Sequence, residues 1–286
     1  MLVETARAKI NLYLHIVGRR DDGYHLLDSL VAFAAIGDTL YGAPADAPSL
    51  RVDGPFAAEL AGEELESNSV VRAARATAAA LGRPAAIAFR LVKTLPVAAG
   101  LGGGSADAAA ALRICARAWS IAEDDPRLAA IARGLGADVP ACLAGRPAFM
   151  GGIGDELASA PKLPRLSVVL VNPGVALPTT RVFAGFRGQF SDAARFFQNP
   201  RDARELAEIL AARRNDLLDP AMRCVAQIRD VLDALAASPG CFLARMSGSG
   251  ATCFGLYADD AAAGRAASWL TANARGWWIA PSMIAA

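Results

Sequence analysis

The chain has 286 residues, of which 54% are hydrophobic and 20% are charged, so it holds ample apolar material for a packed core and does not have the composition of a disordered protein. Its formal net charge of +1 gives no general electrostatic reason to bind nucleic acid or an anionic membrane. Five scattered cysteines form no CxxC pair and two histidines form no metal-ligand pattern, so neither a disulfide framework nor a metal site is expected.

The N-terminus lacks the features of a signal peptide, and no apolar run is long enough to span a bilayer, so we expect a cytoplasmic protein. Apolar patterning between turn signals predicts strands at 7–17, 25–37, 38–41, 85–93, 148–153, 166–171 and 277–280, and two more on either side of a glycine cluster within 242–257. Helical periodicity or high alanine content predicts helices at 68–81, 105–119, 126–135, 139–143, 201–214, 221–237 and 258–274.

Residues 42–55 are rich in turn formers and predict a loop with short strand pieces. The helix at 68–81 has Asn68 as its expected cap and Gly82 at its end. Glycine and proline loosen the chain near 155–165, which favours two domains, 1–157 and 158–286. The predicted fold class is α+β in both.

The strongest chemical signal is PVAAGLGGGSA, which leads from a strand directly into a helix. Glycines let a phosphate approach backbone N–H groups closely, and a helix N-terminus adds partial positive charge. A Rossmann loop would need glycine at Ser105, and a Walker A loop would need glycine and then lysine at 105–106. The alternative interpretation is a flexible turn before a helix. The residues predicted to bind the triphosphate are Pro96, Val97, Ala98, Ala99, Gly100, Leu101, Gly102, Gly103, Gly104, Ser105 and Ala106.

Three weaker signals accompany this loop. Asp138, in GADVP before a short helix, could be a general base that takes a hydroxyl proton, or only a helix cap. Lys9, in an apolar strand, could pair with a carboxylate or a phosphate, or lie solvated on an exposed face. The segment MSGSGA at 246–251 could be a second functional glycine loop or a tight hairpin.

Taken together, these segments resemble the GHMP superfamily of small-molecule kinases. PVAAGLGGGSADAA is similar to the phosphate loop of that family, and MSGSGATCFGLY is similar to its C-terminal glycine motif. Over nearly the whole chain, the resemblance is to those members whose acceptor is a cytidine diphosphate derivative of methylerythritol. The segments that carry this finer resemblance are ARAKINLYLHIVGRRDDGYHLLDSLVAF, GADVPACL, NPGVALPTTRVF and RRNDL.

The resemblance implies a two-domain α+β fold with the active site in the cleft between the domains. It also implies transfer of the γ-phosphate of ATP to the 2-hydroxyl of the acceptor, in the non-mevalonate route to isoprenoid precursors. Asp138 would take the proton of that hydroxyl, and Lys9 would neutralise charge on the phosphoryl group and keep Asp138 ionised. Mg²⁺ would arrive with ATP and not in a protein cage, because it prefers phosphate oxygens and water.

Further roles follow from positions that match the family. Asn68 and Lys93 would lie near the nucleotide, and Ser105 would offer its hydroxyl to the phosphates. Tyr24 and Phe183 would stack on the cytosine, with His25 hydrogen-bonded to its edge. The residues that would form the acceptor site are Asn11, Tyr24, His25, Thr179 and Phe183.

Two alternatives stay open at this point. A kinase of the same superfamily for homoserine or mevalonate would have no use for the Tyr24–His25 pair, because those acceptors carry no base. A non-catalytic sugar or nucleotide sensor would be expected to lack Asp138 or Lys9, and both are present. The loop also has Ala98 and Ala99 where similar enzymes often have more glycine, which still permits close backbone approach.

Overall fold

The computed structural model of the chain describes residues 1–274 and 276–284. Its strands are β1 (Leu2–Arg19), β2 (His25–Pro44), β3 (Ser49–Asp53), β4 (Ile87–Val92), β5 (Ala148–Gly151), β6 (Glu156–Ser159), β7 (Leu166–Asn172), β8 (Leu243–Met246), β9 (Cys253–Tyr257) and β10 (Trp278–Ile284). Its helices are α1 (Ser69–Ala80), α2 (Gly103–Ala118), α3 (Pro126–Leu135), α4 (Val139–Ala144), α5 (Thr179–Ala184), α6 (Ala203–Ala211), α7 (Leu218–Cys224), α8 (Gln227–Ala237) and α9 (Asp260–Asn273). Among the described residues, none of these helices has the length and apolar character needed to cross a membrane. The α+β class is confirmed.

The chain folds into two compact units that interleave along the sequence. The first unit contains residues 1–8, 37–97 and 102–145, and the second contains residues 9–36, 98–101 and 146–286. The long strands β1 and β2 therefore each contribute residues to both units. A division of the sequence into domains at 1–157 and 158–286 stays a prediction.

In the first unit, the end of β2 pairs antiparallel with β4, and β3 pairs parallel with β4. Helix α1 begins where predicted, because the Asn68 side chain accepts a hydrogen bond from Val70 N–H at 3.0 Å. Helix α2 packs against α1 and is buried around most of its circumference. Alanine side chains make this possible, because they let neighbouring helices approach closely without clashes. The start of α2, where the glycine loop ends, is thereby held firmly.

In the second unit, β10, β7, β9 and β8 form an antiparallel sheet in that order. The first part of β2 pairs with β5, and β5 pairs with β6. A hydrophobic core lies on this sheet and includes Val169 and Val171 of β7 and Ile228, Val231 and Leu235 of α8. The core supports the loop between β8 and β9, which carries the second glycine motif.

Strand β1 is more buried than the sequence predicts. The alternation of residues 7–17 predicts a half-buried strand, but every residue from Ala8 to Ile16 is buried. Both faces are covered, so Asn11 and His15 lie inside the protein as well as the apolar residues. The prediction of an exposed face is wrong here, because tertiary packing decides how many faces of a strand are covered.

Several element boundaries also differ from prediction. Strand β2 runs unbroken through Gly37, where the sequence predicts two strands. A Cβ at Gly37 would lie 2.2 Å from Ala6 O, so the backbone of β1 leaves room only for glycine here. This glycine marks a close strand approach and not a break. The helix predicted at 221–237 is two helices, since Val225 between them takes an extended conformation with φ −138° and ψ 92°. Strand β3 is one of the short strand pieces predicted within 42–55, whereas β6 and α5 have no counterpart among the predictions.

Candidate active site

The glycine loop begins helix α2 in a way that leaves its first amides open. The helix starts at Gly103, two residues before the predicted start, and its N-cap is Gly102 with φ 63°. A glycine cap brings no side-chain oxygen to the first N–H groups of the helix, so α2 has no side-chain cap from Gly102. These N–H groups and the helix dipole form an arrangement suited to a phosphate.

The middle of the loop, residues 98–101, is fixed by its carbonyl groups. These four oxygens accept hydrogen bonds, in order, from Leu177 N–H, Thr252 N–H, the Ser247 hydroxyl and Lys9 N–H, at 3.1, 3.1, 2.9 and 2.9 Å. Since all four carbonyls are hydrogen-bonded within the second unit, to which residues 98–101 belong, this stretch has a defined conformation. The interpretation as a flexible turn does not fit such a segment.

The second glycine motif is both a hairpin and the support of this loop. Strands β8 and β9 are antiparallel neighbours joined through residues 247–252. Gly100 has φ +75°, and a Cβ on it would lie 2.5 Å from Ser247 O and 2.7 Å from Gly250 O. A Cβ on Gly248 would lie 3.1 Å from both Asn11 Oδ1 and Gly100 O. Glycine is therefore required on both sides of the contact between the two loops.

Lys9 belongs to a buried network in this contact. The side chain is only 4% exposed, and its ammonium donates to Asn11 Oδ1 at 2.8 Å. The Asn11 amide in turn donates to the Ser29 hydroxyl at 2.8 Å, and Asn11 N–H donates to Ser247 Oγ at 3.2 Å. The interpretation of Lys9 as a solvated strand lysine is excluded. Four sequence-predicted features, Lys9, Asn11, the phosphate loop and the glycine hairpin, are brought together here.

Thr179 joins the same hairpin from another direction. Its hydroxyl lies 2.9 Å from the Ser249 hydroxyl, and Thr179 is the first residue of α5. The hairpin thus positions Thr179 as well as Asn11, although these residues are far apart in the sequence. Their common role in binding an acceptor stays a prediction.

Asp138 precedes α4 as its N-cap residue, but its side chain does not cap the helix. The interpretation of Asp138 as a side-chain cap of α4 therefore does not hold. Asp138 belongs to the first compact unit and Lys9 to the second. The catalytic roles assigned to these two residues stay predictions.

Lys93 lies in a charged cluster that the sequence did not reveal. Its ammonium donates to Asp38 Oδ2 at 2.5 Å and to Asp107 Oδ2 at 2.9 Å, and the three side chains are no more than 3% exposed. Burial alone would lower the pKa of Lys93, but the nearby Asp107 and Asp38 carboxylates outweigh it and raise that pKa. Asp38 and Asp107 are absent from the predicted site. A carboxylate inside an alanine-rich helix was the available signal for Asp107.

Asn68 has a structural role that the sequence also predicted. Its Oδ1 caps α1, and its Nδ2 donates to Glu63 Oε2 at 2.9 Å. Both ends of the side-chain amide are engaged in these bonds. A contact between Asn68 and the nucleotide stays a prediction.

The residues predicted to hold a cytosine include an aromatic cluster. The His25 ring lies 5.5 Å from the Phe183 ring, tilted by 31°, and 5.6 Å from the Phe186 ring, edge-on at 85°. Burial, and then the Arg19 charge, lower the pKa of His25, so its imidazole is neutral near pH 7. Tyr24 lies 61% exposed at the surface. The sequence predictions missed Phe186, which lies just beyond the end of α5 and follows Phe183 by three residues.

Comparison with known families agrees with this geometry. The profile of the GHMP kinases N terminal domain matches residues 68–146, and that of the GHMP kinases C terminal domain matches residues 192–275. The first match contains the phosphate loop and Asp138, and the second contains the glycine hairpin. The fold is that of a GHMP kinase, a class of enzymes that use ATP to phosphorylate small molecules.

Similar proteins identify the family within the GHMP kinases to which the chain belongs. The chain is 54% identical over 279 residues to the 4-diphosphocytidyl-2-C-methyl-D-erythritol kinase of Paramagnetospirillum magneticum, covering 98% of this chain and 97% of that protein. It is 50% identical to the enzyme of the same name from Rhodospirillum rubrum, covering 99% and 92% of the two chains. A crystal structure of 4-(cytidine 5'-diphospho)-2C-methyl-D-erythritol kinase is 35% identical and superposes with a TM-score of 0.77 over 100% of both chains. The chain belongs to the 4-diphosphocytidyl-2-C-methyl-D-erythritol kinase family, which confirms the resemblance identified from its motifs.

Proposed function

We propose that the chain transfers the γ-phosphate of ATP to the 2-hydroxyl of 4-diphosphocytidyl-2-C-methyl-D-erythritol, a step of the non-mevalonate (MEP) route to isoprenoid precursors. One observation supports this proposal more strongly than any other. The phosphate loop, Lys9 and Asn11 form a single hydrogen-bonded assembly, in a chain 54% identical to a relative named for this reaction.

On the donor side, the N–H groups at the start of α2 hold the phosphates of ATP. Phosphoryl transfer has a loose transition state, so the protein contributes mainly positioning and electrostatic stabilisation. Lys9 supplies a cation that is already oriented by Asn11, and needs little reorganisation when charge develops. Mg²⁺ comes with ATP on the phosphate oxygens, because it prefers phosphate oxygens and water as ligands.

On the acceptor side, Asp138 takes the proton of the 2-hydroxyl as the hydroxyl oxygen bonds to the γ-phosphorus and ADP leaves. A carboxylate suits this role when it is ionised and within hydrogen-bond reach of the hydroxyl. Asn11 and Thr179 orient the methylerythritol part.

Recognition of the base distinguishes this acceptor from homoserine or mevalonate. Phe183 offers an aromatic face to the cytosine, and neutral His25 can both donate to and accept from its edge. Tyr24 is placed at the surface, where it can close on the other face of the base. A cytidine diphosphate acceptor would use all three side chains.

The catalytic assignment is tested by Asp138→Asn, which keeps the shape and removes the base. We expect kcat to fall by about 10²–10⁴-fold, the usual contribution of a general base, while the Kd for MgATP stays unchanged. Asp125→Asn is the matched control, because Asp125 caps α3 and asparagine caps a helix equally well. Turnover by Asp138→Asn at the level of this control would remove Asp138 from the mechanism.

The acceptor assignment is tested separately by Phe183→Ala and Tyr24→Ala. Stacking on a base is worth about 1–3 kcal/mol, so each change should raise the KM for the cytidine acceptor by about five- to 150-fold. The KM for ATP should not change. Unaltered acceptor KM in both variants would contradict the cytosine site while leaving the kinase assignment in place.

A further inference from the structure

A cluster of three buried charges lies at the start of α2. Lys93 bridges Asp38 and Asp107 at 2.5 and 2.9 Å. With all three groups ionised, the cluster holds two carboxylates and one ammonium, so it carries one excess negative charge. A buried excess charge is unfavourable unless a partner or a proton neutralises it.

Two charged groups act on Asp107 among the residues that the structure describes. Lys93 and Asp38 are the ionisable groups that act on its carboxylate. Helices α1, α3 and α4 pack against α2 and bury uncharged side chains. Their buried residues are Val70, Val71, Ala73, Ala74, Thr77 and Ala78 of α1, Leu128 and Ala132 of α3, and Val139, Ala141 and Cys142 of α4. Burial raises the pKa of Asp107 to about 7, against the lowering effect of the Lys93 ammonium.

One oxygen of this carboxylate is left without a hydrogen bond. In the described part of the chain, Asp107 Oδ1 is the buried side-chain oxygen or nitrogen atom that has no partner. An ionised oxygen in that position suffers the full penalty of desolvation. A proton on Oδ1 would remove the excess charge of the cluster while Oδ2 keeps its bond to Lys93.

The cluster touches the loop that is proposed to hold the phosphates. A Cβ on Gly103, the first residue of α2, would lie 3.1 Å from Lys93 Nζ and 3.8 Å from Asp38 Oδ2. The ammonium therefore lies directly against the loop backbone. The charge of the cluster acts on any anion bound at the first N–H groups of α2, and in a poorly solvated setting this action is strong.

We propose that Asp107 is a positioning residue of the phosphate loop, which holds the Lys93 ammonium against Gly103 and takes up one proton from solvent when the phosphates of ATP bind. The inference rests on the proposed binding of ATP at this loop. The incoming phosphates disfavour a second negative charge nearby, so the proton neutralises Asp107 and leaves Lys93 with Asp38 as its counter-ion. Asp107 does not touch the reacting atoms and acts through Lys93 and the loop.

This coupling makes nucleotide affinity depend on pH through Asp107. Above the pH at which Asp107 loses its proton in the free protein, binding must recover that proton, and affinity falls by up to about tenfold per pH unit. Asp107→Asn keeps the cluster free of the second carboxylate charge at every pH. The ratio of the native Kd to the variant Kd for MgADP should therefore rise by about three- to tenfold per unit between pH 7.5 and 8.5.

The direct test is isothermal titration of the full chain with MgADP at pH 7.5, in two buffers of different ionisation enthalpy. The difference in heat gives the number of protons taken up. The native chain should take up more protons than Asp107→Asn, whereas Asp124→Asn, a change of an exposed carboxylate before α3, should match the native chain. In turnover assays, Asp107→Asn should change the KM for ATP and its pH profile while kcat stays within about twofold, which a merely structural role would not produce.

The possible results separate a failure of the role of Asp107 from a failure of the proposed function. Equal proton uptake by native chain, Asp107→Asn and Asp124→Asn, all with nucleotide bound, overturns the role of Asp107 and leaves the proposed function standing. Absence of MgADP binding by the native chain overturns both. If Asp107→Asn does not fold, the native chain alone decides, since no proton uptake at any pH between 6 and 9 overturns the inference and an uptake that peaks just above neutrality supports it.

Discussion

Replacing Gly100 by alanine should break the contact between the phosphate loop and the glycine hairpin. Gly100 has φ +75°, and a Cβ on it would lie 2.5 Å from Ser247 O, 2.7 Å from Gly250 O and 2.8 Å from Gly250 N. All three are backbone atoms, so no change of rotamer can relieve the clash. The two loops must separate, or the substitution must strain both.

The expected loss in the free energy of unfolding of Gly100→Ala has two contributions. The left-handed conformation costs alanine about 1–2 kcal/mol, and a forced backbone shift in packed surroundings typically costs about 1–3 kcal/mol more. We expect Gly100→Ala to lower the free energy of unfolding by about 2–5 kcal/mol. The hydrogen bond that the Ser247 hydroxyl donates to Gly100 O should be lost with the contact. The phosphate loop would then be less well held, so the KM for ATP should rise.

Chemical denaturation gives the stability difference, and ADP release at varied ATP gives the KM. Gly264→Ala is the matched control, because Gly264 lies within α9 and a Cβ there meets nothing within 4 Å. Alanine favours a helix over glycine by about 1 kcal/mol, so the control should be slightly stabilised. Equal stability and equal ATP KM for the two variants would refute the close approach of the loops.

Three further predictions concern the acceptor site and the buried cluster. Because burial and Arg19 lower the pKa of His25, the KM for the cytidine acceptor should be flat across neutral pH and rise only below about pH 6.5, and a rise that begins above pH 7 would contradict a neutral imidazole. Phe186→Ala should raise the acceptor KM by about two- to tenfold without changing the ATP KM, because it removes the edge contact that orients the His25 ring, and an unchanged acceptor KM would show that this contact is dispensable. The pKa of Asp107 is raised on folding, so the folded protein keeps a proton that the unfolded chain releases, and the stability this gives is lost as pH rises through about 7. The melting temperature of Asp107→Asn relative to the native chain should therefore increase from pH 5 to pH 8, and a constant difference would contradict the raised pKa.

Local sequence predicted those parts of the fold whose cause is itself local. The cap at Asn68 and the helix over Pro126–Leu135 depend on side chains that bond to their own backbone, and both are found where expected. The course of β2 through Gly37 depends instead on β1, whose backbone passes too close for any side chain. The break between α7 and α8 falls at Val225, where no glycine or proline marks the end of a helix in the sequence.

In the candidate site, too, features with a local cause were predictable and features that depend on distant residues were not. The glycine loop and its helix were predictable because phosphate binding by backbone amides has a compact sequence pattern. The hairpin that supports the loop bonds to it across 147 residues, from Ser247 to Gly100, and pattern alone could not pair them. Asp38 and Phe186 were missed for a similar reason, because each acquires its role from a neighbour supplied by the fold.

The central claim is tested most directly by ADP release from the purified chain with ATP, Mg²⁺ and three acceptors in parallel, namely 4-diphosphocytidyl-2-C-methyl-D-erythritol, homoserine and mevalonate. We predict turnover with the cytidine acceptor alone, with the product phosphorylated at its 2-hydroxyl. Turnover with homoserine or mevalonate instead would contradict the cytosine site, and nucleotide binding without turnover of any acceptor would contradict the assignment as a kinase.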